Sequence, residues 1–216
     1  MKLGPSRHQT KLLIVFLLNF FVVGAVEMLP AASGTTGAAF LNIPVGAGPA
    51  ALGGAYSALA TDAYAPVWNP AGLGFVPDVE LAGQHLSYLE SIHYEYLSLA
   101  LPQGFGVSAQ YLGTGDIDGL AMDGTQQGAY SIHYGAYTLA YGHKFGEKLA
   151  LGIAGKFLEA KLADVSARAY AGDFGFLYEA TRKLSLAGGF SNLGSKLTFI
   201  DDNSSLPLTG KLALAG

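Results

Sequence analysis

The sequence has no cysteine, one tryptophan and few charges: acidic and basic residues together make up 13% of the chain. Without cysteine there are no disulfides, thiolate metal sites or cysteine nucleophiles, and no acylated lipoprotein anchor. The charge content is well under the ~25% usual in a soluble domain, which argues against a surface solvated on every side. Recognisable catalytic spacings are also missing. There is no H-E-x-x-H, no G-x-S-x-G and no carboxylate pair held by a known motif. "GAGPAALGG" (46–54) is glycine-rich, but no strand precedes it and its spacing is not G-x-G-x-x-G. His85, His93, His133 and His143 have no metal-ligand spacing. These absences point to a non-enzymatic protein without a cofactor.

The longest apolar run is "LLIVFLLNFFVVGAV" (12–26), preceded by Lys2, Arg7 and Lys11 and followed by the small residues of "PAASG". Basic, apolar, then small is the order of an export signal, here residues 1–33. Cleavage falls after Ala25 or near Ser33, the latter with Ala31 at −3. An uncleaved anchor is the competing reading, but the run is shorter than the ~20 residues that span a bilayer comfortably. The formal net charge of −4 becomes more negative once this basic leader is removed, which disfavours nucleic acid as a partner.

Beyond residue 78 the apolar period is two. It is clearest in 105–112, 136–145, 149–157 and 169–178, and weaker in 79–88, 92–101, 184–192 and 207–215. In 149–157, Leu149, Leu151, Ile153 and Phe157 oppose Ala150, Gly152, Ala154 and Lys156. Eight strands follow, each with one strongly apolar face. Their connections alternate: 102–104, 146–148 and 180–183 are tight, whereas 113–135, 160–167 and 193–206 are long. Short turns at one end and long loops at the other fit an outer-membrane barrel.

The second face of each strand bears on orientation. In a soluble barrel or sandwich it would meet water and carry Lys, Glu, Thr and Arg. Here it is mostly Gly, Ala and Ser, with isolated charges at Lys156 and Asp173. Small residues suit a lumen packed against other protein, and the bulky faces suit lipid. Aromatics near strand ends, such as Tyr111, Tyr137, Phe145 and Tyr178, suit membrane interfaces. The expected fold is all-β, a transmembrane antiparallel barrel spanning 78–216.

Residues 34–77 break the alternation. Pro49 is expected to open a short helix, "AALGGAYSALA" is nearly all small, and "NPA" (69–71) reads as a turn after Trp68. "FLNIPVGAGPAALGGAYSALATDAYAPVWNPAGL" resembles the opening of the PorV/PorQ family of outer-membrane proteins, which belong with the FadL-like barrels. "YLGTGDIDGLAMDGTQQGAYS", "LALGIAGKFLEAKL", "AYAGDFGFLYEA", "SNLG" and "LPLTGKLALAG" resemble its later blocks in order.

The resemblance implies a hatch over 34–77, folded into the barrel lumen, with Trp68, Asn69, Pro70 and Ala71 as its terminating motif. It also implies a type IX secretion component that binds secreted cargo with a C-terminal signal domain at extracellular loops. The alternative is a FadL-like uptake channel for hydrophobic small molecules, gated by the hatch. Either would place the protein in outer-membrane lipid of a Gram-negative-type bacterium. Barrels of this family have more strands than eight, and an eight-stranded barrel is filled by its own side chains. A partial barrel with two unpaired edges is therefore expected.

Three charges are expected inside that lumen. Lys156 and Asp173 are expected to pair directly across two strands joined by a loop centred between Asp164 and Val165, with Lys211 as a further contact to the hatch. Asp116, Asp118 and Asp123 lie in a glycine-rich loop and are weak candidates for a hard cation such as calcium, although the EF-hand spacing and its glutamate are absent.

Overall fold

The computed structural model describes residues 36–88, 91–200 and 202–216. The chain divides into Met1–Ser33 and Gly34–Gly216. The expected export signal lies outside the described residues, so every described element belongs to the second unit.

That unit is mainly β. Its strands are β1 (Glu80–Ser87), β2 (His93–Ala100), β3 (Phe105–Gly113), β4 (Ile117–Leu120), β5 (Gln126–Tyr130), β6 (Ile132–Phe145), β7 (Leu149–Leu162), β8 (Val165–Thr181), β9 (Leu184–Gly194), β10 (Leu197–Phe199), β11 (Asp202–Ser204) and β12 (Thr209–Ala215). Eight of them form one antiparallel sheet in the order β1-β2-β3-β6-β7-β8-β9-β12. The hairpins β4–β5 and β10–β11 lie in the two longest connections. Among the described residues β1 and β12 each pair on one side only, and the sheet does not close on itself as a barrel.

Alternation of bulk and smallness decides which way each strand faces. Leu139 is 61% and Ile153 60% exposed, while their chain neighbours Ala140 and Ala154 are buried. The bulky face is thus turned out along β3, β6, β7 and β8, and the small face is turned in. What covers the small face is the segment 36–76, a series of short helical turns: Ala39–Asn42, Ala47–Ala51, Gly53–Ala58, Ala65–Trp68 and Pro70–Phe75. None is long enough to be stable alone in water, so packing against the wall must hold them. Pro49 sits inside the Ala47–Ala51 turn rather than at its start. It is tolerated there because first-turn N–H groups have no helical partner to lose.

The sheet curls around this segment. The Ala63 carbonyl accepts a hydrogen bond of 2.5 Å from Ser98 Oγ on β2, while Lys211 Nζ on β12 lies 5.4 Å from the centre of the Trp68 ring. In a flat sheet β2 and β12 would be about 29 Å apart at ~4.8 Å per strand. Residues 63–68 can touch both only if the sheet wraps them.

All three long connections differ from expectation. The stretch 160–167 is not a long loop, because β7 and β8 run on to a tight turn at Ala163 and Asp164, with Ala163 at φ 53. The other long connections hold the two small hairpins, whose strands are too short to show a period in the sequence.

Candidate functional site

The hatch motif is built from the wall outward. Gly142, Gly152, Gly175 and Gly189 are successive register partners across β6, β7, β8 and β9. They leave a strip of bare backbone on the inner face. Pro70 and Ala71 lie on it: a Cβ built on Gly152 would sit 2.2 Å from Ala71 N, and one on Gly142 would sit 2.4 Å from the Pro70 carbonyl oxygen. Only glycine admits such an approach.

Asn69 joins the turn to the wall. Its side-chain oxygen accepts from the Ala71 N–H at 3.1 Å, capping the Pro70–Phe75 turn. Its Nδ2 donates to the Ser57 carbonyl at 2.9 Å and to the Phe176 carbonyl of β8 at 3.1 Å. Trp68 is buried, with its Nε1–H donating to the Val45 carbonyl at 2.9 Å and the Tyr56 ring edge-on at 5.4 Å. The Tyr56 hydroxyl donates to the Asp62 carboxylate, and burial together with that bond pushes its pKa up, so it remains a donor.

Lys156 and Asp173 meet on the inner face of the sheet, in a register other than the expected one. Ala154 opposes Asp173, and Lys156 opposes Ala171. The β7–β8 turn is centred one residue earlier than the sequence suggested, which shifts the pairing by two. Lys156 and Asp173 are therefore diagonal neighbours, and their side chains still meet at 2.7 Å, with 3% and 1% of their areas exposed. Asn192 completes the contact. Its N–H donates to Asp173 Oδ1 at 2.8 Å, and its own Oδ1 accepts from Lys156 Nζ at 2.8 Å. Asn192 holds φ 64, a left-handed conformation that asparagine tolerates better than most residues. Sequence reasoning missed Asn192 and the glycine strip.

Between hatch and wall is a cavity of about 240 Å³, lined by Ile43, Val67 and Trp68 on one side and by Gln110, Lys156 and Lys211 on the other. Gln110 is buried and donates to the Tyr94 hydroxyl at 2.8 Å, leaving its Oε1 without a partner. Lys211 has no carboxylate within ion-pair distance among the described residues. The cavity thus sets apolar and aromatic side chains beside the Lys211 ammonium, which lies over the Trp68 ring, and the unpartnered Gln110 Oε1. Such a site suits a small amphiphile with an anionic or polar head.

Asp116, Asp118 and Asp123 lie in or beside the β4–β5 hairpin. Among the described residues no three acidic or histidine side chains converge as a metal site. Asp123 instead closes the hairpin turn, accepting from the Thr125 hydroxyl at 2.6 Å and the Thr125 N–H at 2.9 Å. These bonds lower its carboxyl pKa. The histidines sit among outward-facing polar contacts, such as His85 Nδ1 with Glu95 at 2.6 Å.

The model of the Uncharacterised protein family UPF0164 matches residues 30–157, which takes in the hatch and the strands through most of β7. The chain belongs to this family. No curated protein matched the sequence.

Proposed function

We propose that this UPF0164 protein is an outer-membrane β-barrel wall with a lumenal hatch, working without catalysis as an uptake channel for small amphiphiles. The observation that carries this reading is the cavity between hatch and wall, apolar at Trp68 and cationic at Lys211. A hatch serving only as a stopper has no need of such a pocket.

The outward face supports a membrane setting. From Leu149 to Phe157 the outward residues of β7 are apolar or glycine; Glu159 and Lys161 follow, and Lys148 lies in the opposite turn. That apolar stretch is about 27–30 Å along the strand and roughly 20 Å across a bilayer at 35–45° of tilt, close to the ~25 Å band of outer-membrane barrels. The resemblance to FadL-like barrels noted in the hatch motif points the same way, and so does the export signal expected over residues 1–33.

A second reading keeps the PorV/PorQ resemblance: a type IX secretion component that receives cargo proteins. Its support is the extension of β7 and β8 past the apolar band, together with the β4–β5 and β10–β11 hairpins in connections at that same end.

Purification of the full-length protein from its native outer membrane in mild detergent, followed by mass spectrometry of bound lipids and bound proteins, separates the two. An amphiphile lost on Lys211→Ala supports uptake. Secreted proteins sharing one C-terminal domain, with no such ligand, would replace the uptake reading by the secretion one.

A further inference from the structure

The outward apolar band ends in a polar row on its hairpin side. Tyr111, Gly135, Glu159 and Arg168 are register partners across β3, β6, β7 and β8, and His133, Lys161 and Ser166 form the next row beyond them. Together these residues line a hollow of about 380 Å³. Lys161 and Arg168 are exposed, and among the described residues neither has a carboxylate within ion-pair distance. Glu159, the acidic residue of the hollow, accepts a hydrogen bond from the Tyr137 hydroxyl at 3.1 Å, on the side away from Lys161. His133 is held by Tyr111 and by Ser131 Oγ. The hollow thus carries a guanidinium, an ammonium and the Ser166 hydroxyl against one carboxylate, that of Glu159, so cations exceed anions by one.

Two residues nearer the centre of the band, Tyr137, Phe157 and Tyr170 form an aromatic row across β6, β7 and β8, with ring centres 6.4 Å and 5.4 Å apart. Beneath it runs an apolar groove of about 860 Å³, lined by Leu81, Leu97, Val107 and Leu139 along with those rings. Gly155 forms part of its floor, and a Cβ there would meet nothing within 4 Å. A cationic hollow therefore lies directly above a long apolar groove on one outward surface.

We propose that this surface binds one anionic phospholipid of the surrounding membrane, with its phosphate over Arg168 and Lys161 and its acyl chains in the groove over Gly155. The assignment rests on the membrane setting proposed above and concerns a different site from the hatch cavity. Guanidinium and phosphate match as a bidentate pair, which favours a phosphate head over a zwitterion whose own cation would face Lys161 and Arg168. The groove selects a lipid over free phosphate, because a bare anion leaves it empty.

The test uses the full-length protein recovered from its membrane and washed free of lipid in detergent. It is then titrated separately with phosphatidylglycerol, phosphatidylcholine and inorganic phosphate, with bound molecules counted by native mass spectrometry. One phosphatidylglycerol per chain is expected, at least tenfold preferred over phosphatidylcholine. K161E/R168E removes that preference, with K161Q/R168Q as a milder variant should reversal disturb folding. Gly155→Phe weakens both lipids. Phosphatidylglycerol binding that survives K161Q/R168Q at full strength, or inorganic phosphate binding as tightly as the lipid, would overturn the site. Membrane recovery without lipid preference overturns this inference alone, whereas recovery of the chain outside membranes overturns the uptake reading as well.

Discussion

Gly152 of β7 stands opposite Gly175 of β8, and the space their missing side chains leave is filled by the backbone of Pro70 and Ala71 and by the Asn69 side chain. The turn and the strip are two halves of one contact. The wall supplies no side chain there, so the hatch rests on peptide planes.

Gly152→Ala therefore forces a methyl to within 2.2 Å of the Ala71 nitrogen. The expected result is a loss of about 1–3 kcal/mol or more, as for other overpacked sites, with greater entry of bulky antibiotics into cells carrying the variant. Gly155→Ala points outward into open space and should stay within about 0.5 kcal/mol of the parent. Denaturant titration of both in the same detergent checks the contrast. Equal stability would mean that the hatch does not lie on this strip.

Removing one partner of the Lys156–Asp173 pair leaves a buried charge. Asp173→Leu should destabilise by about 3–5 kcal/mol, whereas Lys156→Met/Asp173→Leu should recover part of that loss, since no charge is left unpaired although the Asn192 N–H and Oδ1 lose their partners. A double variant no better than the single ones would show that the two residues are uncoupled. Heat-induced mobility shifts on gels read this directly.

Asn69→Ala removes the cap on Ala71 and leaves the Ser57 and Phe176 carbonyls without their donor. The expected cost is about 2–4 kcal/mol from a lost cap and two unmet acceptors. Hydrogen exchange should accelerate first at Ala71 and Gly72, before the β7 and β8 amides. Uniform acceleration along the whole chain would instead indicate global unfolding.

Trp68 is the sole tryptophan and lines the cavity beside Lys211, so its fluorescence reports occupancy. A short-chain fatty carboxylate should shift the emission of the parent, and Lys211→Ala should weaken that response about tenfold with β-sheet content unchanged. An undiminished response would remove Lys211 from the head-group role.

All eight strands of the main sheet were legible as alternation, because each turns one face to the segment 36–76 and the other outward; β3, β6, β7 and β8 turn mostly small residues inward, whereas β2 turns Tyr94 and Tyr96 in. The β7–β8 register was not. Its turn places Ala163, rather than glycine or asparagine, in the left-handed region, so no turn residue in the sequence marked the centre. The glycine strip was half legible. Gly142 and Gly152 are equidistant from the tight turn at 146–148, which alone aligns them; Gly175 joins them only once the β7–β8 register is known. Asn192 carried no signal, since its part depends on a backbone conformation and on a lysine two strands away in the sheet.

The hatch precedes every strand that holds it, and the Asn69 bond to Phe176 spans 107 residues. Bringing such distant segments together carries an entropic cost that grows only with the logarithm of their separation, yet it slows folding because the contacts that reward closure form late. The segment 36–76 thus finds its partners only once β6 to β9 are formed. Its docking is therefore a late, non-local step, and whatever disturbs the strip Gly142, Gly152, Gly175 and Gly189 is felt last in folding and first in the seating of 36–76.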